Sequence, residues 1–128
     1  MLRLGGLNDL YGASILCSEH TLGLLRGFIT RELDRVRLRE GEAPVVLYEV
    51  IGKGRPSESI AKMLKAFDEG LKAYRARRFD DAVEFFSLAL LEQQTDFPCH
   101  LYLERCRNLA LIPPPIEWDG TLDIGARR

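Results

Sequence analysis

Residues 28–51, FITRELDRVRLREGEAPVVLYEVI, decide how this chain folds. Two runs of strand character flank Arg39-Glu40-Gly41-Glu42-Ala43-Pro44, a stretch of turn-forming residues, so the segment reads as a β-hairpin. The alternation of the first run slips between Leu33 and Val36, which predicts a bulge near Asp34. The second run, from Val45 to Ile51, is apolar on both faces except at Glu49. That pattern belongs to an interior strand, paired on both edges and covered on both faces. The chain up to Ile51 offers roughly three strands for this task, and an open apolar edge invites pairing or aggregation. The expectation is that further strands or a docking partner complete the sheet.

N-terminal to the hairpin, Leu4, Leu7 and Tyr11 fall on one helical face and Gly12 is placed to end that helix. Gly5 and Gly6 each cost about 1 kcal/mol relative to Ala, so the helix must lean on tertiary packing. Residues 14–18, SILCS, read as a short strand. Ser18 then caps a helix expected through about Arg26, with Glu19 suited to its positive end.

C-terminal to the hairpin the character changes. Residues 52–59, GKGRPSES, are rich in Gly, Pro and Ser and mark the boundary. Beyond it Ile60, Met63, Leu64, Phe67, Leu71 and Tyr74 form one helical stripe. A second helix starts near Phe79 with Ala82, Val83, Phe86, Ala89 and Leu90 on its inner face, and the short turn Ala76-Arg77-Arg78 makes the two antiparallel. Pro98 suits the first turn of a third helix, in which Cys99, Tyr102, Leu103 and Cys106 share a face. Pro113-Pro114-Pro115 then stop the helix, Asp119-Gly120 suits a tight turn, and Trp118 is expected to cover apolar surface.

Composition narrows the function classes. The 128 residues are 46% apolar and 29% charged with a net charge of −1, a globular composition without the basic excess of a nucleic-acid binder. No apolar run is long enough to span a bilayer and the N-terminus lacks a signal-peptide pattern, so no membrane association and a cytoplasmic location are expected. The three cysteines include no CxxC pair, which fits a reducing compartment, offers no metal-ligand spacing and marks Cys99 and Cys106 as core residues. His20 and His100 stand in no recognisable pattern and receive no role.

Residues 3–51, beginning RLGGLNDLYG and ending PVVLYEVI, are similar in order and spacing to the closing part of bacterial class III adenylate or guanylate cyclase domains. The resemblance implies ATP or GTP as substrate, a cyclic nucleotide and pyrophosphate as products, and a place in intracellular signalling. Two magnesium or manganese ions held by two aspartates would stabilise the attacking and leaving oxygens, and a helix arginine would neutralise charge on the pentavalent phosphorus. By motif position that arginine is Arg3. A lysine that touches the triphosphate corresponds to Arg39, which keeps the charge and adds a planar fork. The motif asparagine and the metal aspartates have no counterpart here. Asp9 and Asp34 fall in stretches expected to be solvated surface, and Glu40 sets a negative charge beside Arg39.

The helical stretch has its own resemblance. Gly70, Tyr74, Phe79, Ala82, Phe86 and Ala89 resemble a tetratricopeptide repeat, in which small residues let paired helices approach and aromatics fill the gap. Glu69 departs from that pattern. Tyr102 to Arg107 and Pro113 to Gly120 are similar to the tail of bacterial cyclases that carry one such repeat.

The expected fold is therefore α+β: a partial antiparallel sheet from a truncated cyclase domain at residues 1–53, a linker at 54–58, tetratricopeptide-like helices at 59–111, and a Pro-rich extended tail at 112–128. The chain is expected to bind no metal and no cofactor alone, and to be inactive alone. Its expected partners are another cyclase domain or a second copy, and a protein bound through the repeat. The alternative function is a small tetratricopeptide-like interaction module without catalysis.

Overall fold

The computed structural model describes residues 7–12 and 16–124. In chain order the elements are α1 (Leu7–Tyr11), β1 (Leu16–Ser18), α2 (Glu19–Leu22), β2 (Phe28–Arg37), β3 (Val45–Lys53), α3 (Glu58–Arg75), α4 (Phe79–Glu92), α5 (Phe97–Leu111) and β4 (Leu122–Asp123). The fold is α+β. It divides into two units: residues up to Arg55 together with those from Thr121 onward form a sheet unit, and Pro56–Gly120 form a helical unit. No described helix is long and apolar enough to cross a membrane.

In the sheet unit the strand order is β1-β3-β2-β4. The two-sided apolar strand β3 is interior, antiparallel to β1 on one edge and to β2 on the other. Its faces are less complete: Leu47 is fully buried, while Val45, Val46, Tyr48, Val50 and Ile51 are half-buried. The pairing of β2 with β3 shifts between Glu32 and Asp34, where the bulge was expected, and again between Ile29 and Thr30. At the first shift two β2 residues, Leu33 and Asp34, stand against one on β3, and both are buried. The turn between the strands contains Gly41 at φ +82°, a left-handed conformation that costs glycine nothing.

Two local expectations differ from what forms. Ser18 does cap α2 through the Thr21 N–H, but the helix ends at Leu22 rather than near Arg26. Gly23 caps it, and Leu24 and Leu25 donate to Thr21 and Leu22 in tighter i to i+3 turns. The tail is not wholly irregular either: Leu122–Asp123 pair in parallel with Val36–Arg37, and the Ile124 N–H donates to the Arg37 carbonyl. The sheet is thus mixed, with one short parallel edge.

The helical unit is organised by rings. Ser57 caps α3 through the Ile60 N–H and Asp96 caps α5 through the Cys99 N–H, as their side chains favour. Phe67, Phe86 and Tyr102 meet with centroids 5.1 to 5.7 Å apart, Phe86 stacking on Tyr102 and Phe67 presenting edges to both. Gly70 lets α3 and α4 close on this cluster, since a Cβ there would stand 2.6 Å from Phe86 Cε1. Tyr74 extends the cluster to Tyr102, Phe79 and Trp118. Trp118 therefore covers the start of α4 and the end of α3. Arg77 sits at φ 64° and closes α3: the Arg78 N–H donates to Ala73 and the Arg77 N–H to Tyr74, the Schellman pattern. Its guanidinium donates to the Pro114 and Pro115 carbonyls and lies over Trp118. The proline run is tied to this turn.

Gly70→Val is expected to destabilise the helical unit by about 2 kcal/mol, the overpacking cost of a side chain forced into an aromatic core. The shift of the Trp118 fluorescence transition in urea measures it.

Candidate functional site

Arg39 stands in the turn joining β2 to β3, with its side chain 83% exposed. Backbone and side-chain bonds shape this turn: the Glu42 N–H donates to the Arg39 carbonyl at 3.1 Å, and Arg37 Nε donates to the Glu42 carbonyl at 2.9 Å. The Arg39 guanidinium lies 3.9 Å from the Glu42 carboxylate, and exposure leaves such a pair weak and readily exchanged. Arg37 lies 3.6 Å from Asp123 on β4. Glu40, Glu42 and Asp123 outnumber Arg37 and Arg39 here, so the hairpin tip has no net positive field to draw in a polyphosphate. What Arg39 offers is an exposed planar fork able to grip one phosphate group. Arg3 lies outside the described residues.

The polar chemistry of the sheet unit is concentrated beneath the hairpin instead. Asp34, expected on a solvated surface, is 1% exposed. The Tyr11 hydroxyl donates to its Oδ2 at 2.6 Å, and the Arg35 N–H donates to its Oδ1 at 2.8 Å. The reason is the bulge, which adds a residue to β2 and carries Asp34 to the buried side with Leu33. Asp9, by contrast, is exposed. Arg31 and Glu49 are partners in the β2–β3 register, and both Nε and Nη2 of Arg31 reach Glu49 Oε1, at 2.8 and 2.7 Å. Both side chains are largely buried. Removing one partner of such a pair costs about 3–5 kcal/mol, because a buried charge remains. The turn pairs Val36 with Val45, which by itself would set residue 31 opposite 50; the bulge moves it opposite 49, so the pair, like the burial of Asp34, depends on the shift in register.

Neither arrangement fits a pair of catalytic metal ions. The carboxylate of Asp34 is occupied by Tyr11 and the backbone, and that of Glu49 by Arg31. Among the described residues no group of three His, Cys, Asp or Glu side chains is placed to hold a metal. Cys99 and Cys106 are buried in the helical core as expected, and burial pushes the Cys106 thiol up to about 11 against the opposing pull of Arg105.

Comparison with known proteins gives one informative similarity. The chain is 26% identical over 102 residues to the "Adenylate cyclase, terminal-differentiation specific" of Dictyostelium discoideum, a match covering 75% of this chain and 5% of that protein. The chain therefore spans about a twentieth of that relative's length. The match is longer than the whole sheet unit, so it takes in part of the helical unit too. No family model matches, and no solved structure matches. The similarity supports a cyclase-related region in this chain.

Tyr11→Phe is expected to cost about 1–3 kcal/mol, the penalty of withdrawing one donor from a buried carboxylate, seen as faster amide exchange in β2 and β3. Cys106 is expected to resist iodoacetamide in the folded protein at pH 8, where its thiolate is scarce, and to react on unfolding; mass spectrometry of the labelled protein reads both states.

Proposed function

We propose that residues 3–51 are the phosphate-contacting part of a nucleotide cyclase site, and that this chain alone does not run the reaction. The similarity to an adenylate cyclase carries this reading, together with the position of Arg39 at an exposed hairpin tip where its fork can meet a triphosphate. In the reaction the ribose 3′-hydroxyl attacks the α-phosphorus and pyrophosphate leaves. Arg39 would hold the triphosphate, and Arg3 would offset charge building on the phosphorus oxygens. Two metal ions would supply the Lewis acid for attack and departure. The carboxylates described here are not arranged to hold them, so a chain bearing the two aspartates must contribute that half of the site. The helical unit, with its tetratricopeptide-like packing of Gly70 against Phe86, would serve as the protein-binding part in the same cytoplasmic signalling role.

A second reading has support in the same packing: a small interaction module without catalysis, whose sheet unit docks on another subunit through the half-covered faces of β3. The two readings part on one experiment. The purified chain, incubated with manganese and ATP or GTP, is expected to make no cyclic nucleotide; turnover by the chain alone would overturn the proposed inactivity. Mixed with a cyclase chain that keeps both aspartates but lacks its own arginine, it is expected to restore turnover. Arg3→Ala should then lower the restored rate by about 100-fold or more. If no turnover appears in the mixture, the interaction module is the better account.

A further inference from the structure

The turn that carries Arg39, residues 38–44, must be tied to the strands if it is to hold one shape, because every residue fixed in a loop costs conformational entropy. Its inner tie is the Glu42 N–H, which donates to the Arg39 carbonyl, with Gly41 in the left-handed conformation between them. Arg37, the last residue of β2, supplies a second tie: its Nε donates to the Glu42 carbonyl at 2.9 Å. Arg37 is in turn held by β4. Arg37 and Asp123 are partners in the parallel register, the Ile124 N–H donates to the Arg37 carbonyl at 3.0 Å, and Arg37 Nη1 stands 3.6 Å from Asp123 Oδ2. One guanidinium therefore joins the turn, through Nε, to a strand from far along the chain, through Nη1. With side chains 31% and 45% exposed, the ion pair adds little stability. What it supplies is direction, since the guanidinium is a rigid plane and fixing one of its nitrogens constrains where the others donate.

The tie falls where it leaves Arg39 free to act. The Arg39 side chain meets the Glu42 carboxylate at 3.9 Å, a partner that a phosphate can replace, whereas Arg37 holds the Glu42 carbonyl and does not depend on where that carboxylate points. The backbone of the turn keeps its shape while the Arg39 fork changes partner. We propose that Arg37 is a positioning residue for Arg39 and that Asp123 of β4 orients Arg37. This role rests on the reading of Arg39 as a triphosphate contact. Asp123 separates it from a plain effect of charge. A carboxylate beside the turn repels a triphosphate, so if only the field mattered its removal would tighten binding. As the partner that orients Arg37, its removal weakens binding instead.

Two measurements test it. In the mixture with a cyclase chain that keeps both aspartates but lacks its own arginine, Asp123→Ala and Arg37→Ala are each expected to raise the KM for ATP by about threefold or more, with kcat moving less. Arg37→Lys keeps the charge but has one nitrogen where the guanidinium uses two, so it is expected to follow Asp123→Ala rather than the wild type. In the full-length chain alone, the NMR order parameters of the Arg39 to Glu42 amides are expected to match those of β2 and β3, and to fall below about 0.6 in the three variants while the strand amides keep theirs. A KM that falls or stays level in Asp123→Ala overturns the proposal, as does an Arg37→Lys indistinguishable from the wild type. Order parameters that hold in the variants overturn the positioning even where turnover is seen. A wild-type mixture that makes no cyclic nucleotide instead overturns the reading of Arg39, and this role with it.

Discussion

Everything in the sheet unit follows from the need of β3 for two neighbours. A strand that is apolar on both faces cannot leave its backbone N–H and carbonyl groups unpaired in a buried setting, because each orphan costs about as much as a lost hydrogen bond. The neighbours are β2, delivered by the hairpin turn, and the three residues of β1. The Arg31–Glu49 pair then locks the register. A slip of β2 by one place would send Arg31 to the face opposite Glu49, parting the two charges and bringing the wrong residues inside. The bulge solves a second problem, since it places both Leu33 and Asp34 inside and gives α1 a polar anchor through Tyr11. The faces of β3 remain half covered, and they are the natural ground for the docking role considered above.

The helical unit rests on a different constraint, the closeness of α3 and α4 at Gly70. Only a residue without Cβ leaves room for the Phe86 ring, and that ring in turn positions Tyr102 of α5 by stacking. The tail continues the same network through Trp118 and Arg77. Arg77 accepts a left-handed conformation worth about 1 kcal/mol of strain, offset by its bonds to the proline carbonyls and its position over the indole. The side of the pair that faces α5 is thereby filled with rings, while the opposite side keeps leucines and charges.

Legibility in the sequence followed the range of the interactions. The helices of the second unit and the inward cysteines could be read because helical period is a local property; the caps at Ser57 and Asp96 emerged only with the structure. The short α2 could not, because the Leu-Gly-Leu-Leu-Arg-Gly stretch has helical composition while its turns tighten after Gly23. In the candidate site, Arg39 was placed in an exposed turn by pattern alone. The acidic neighbours Glu40 and Glu42 were visible too, but the approach of Asp123 was not, since it comes from a strand far along the chain.

The sequence by itself determined the α+β class, the hairpin with its bulge, the interior character of β3 and the three amphipathic helices, since each is written in spacings shorter than one element. Tertiary structure alone decided the burial of Asp34 and the return of Leu122–Asp123 to β2. Inward or outward orientation beside a bulge depends on which neighbour fills the space, and a parallel pairing two residues long leaves no periodic trace. The same division applies to function: the sequence carries the likeness to a cyclase, over 102 residues, whereas only the fold shows that the buried carboxylates of Asp34 and Glu49 already have partners.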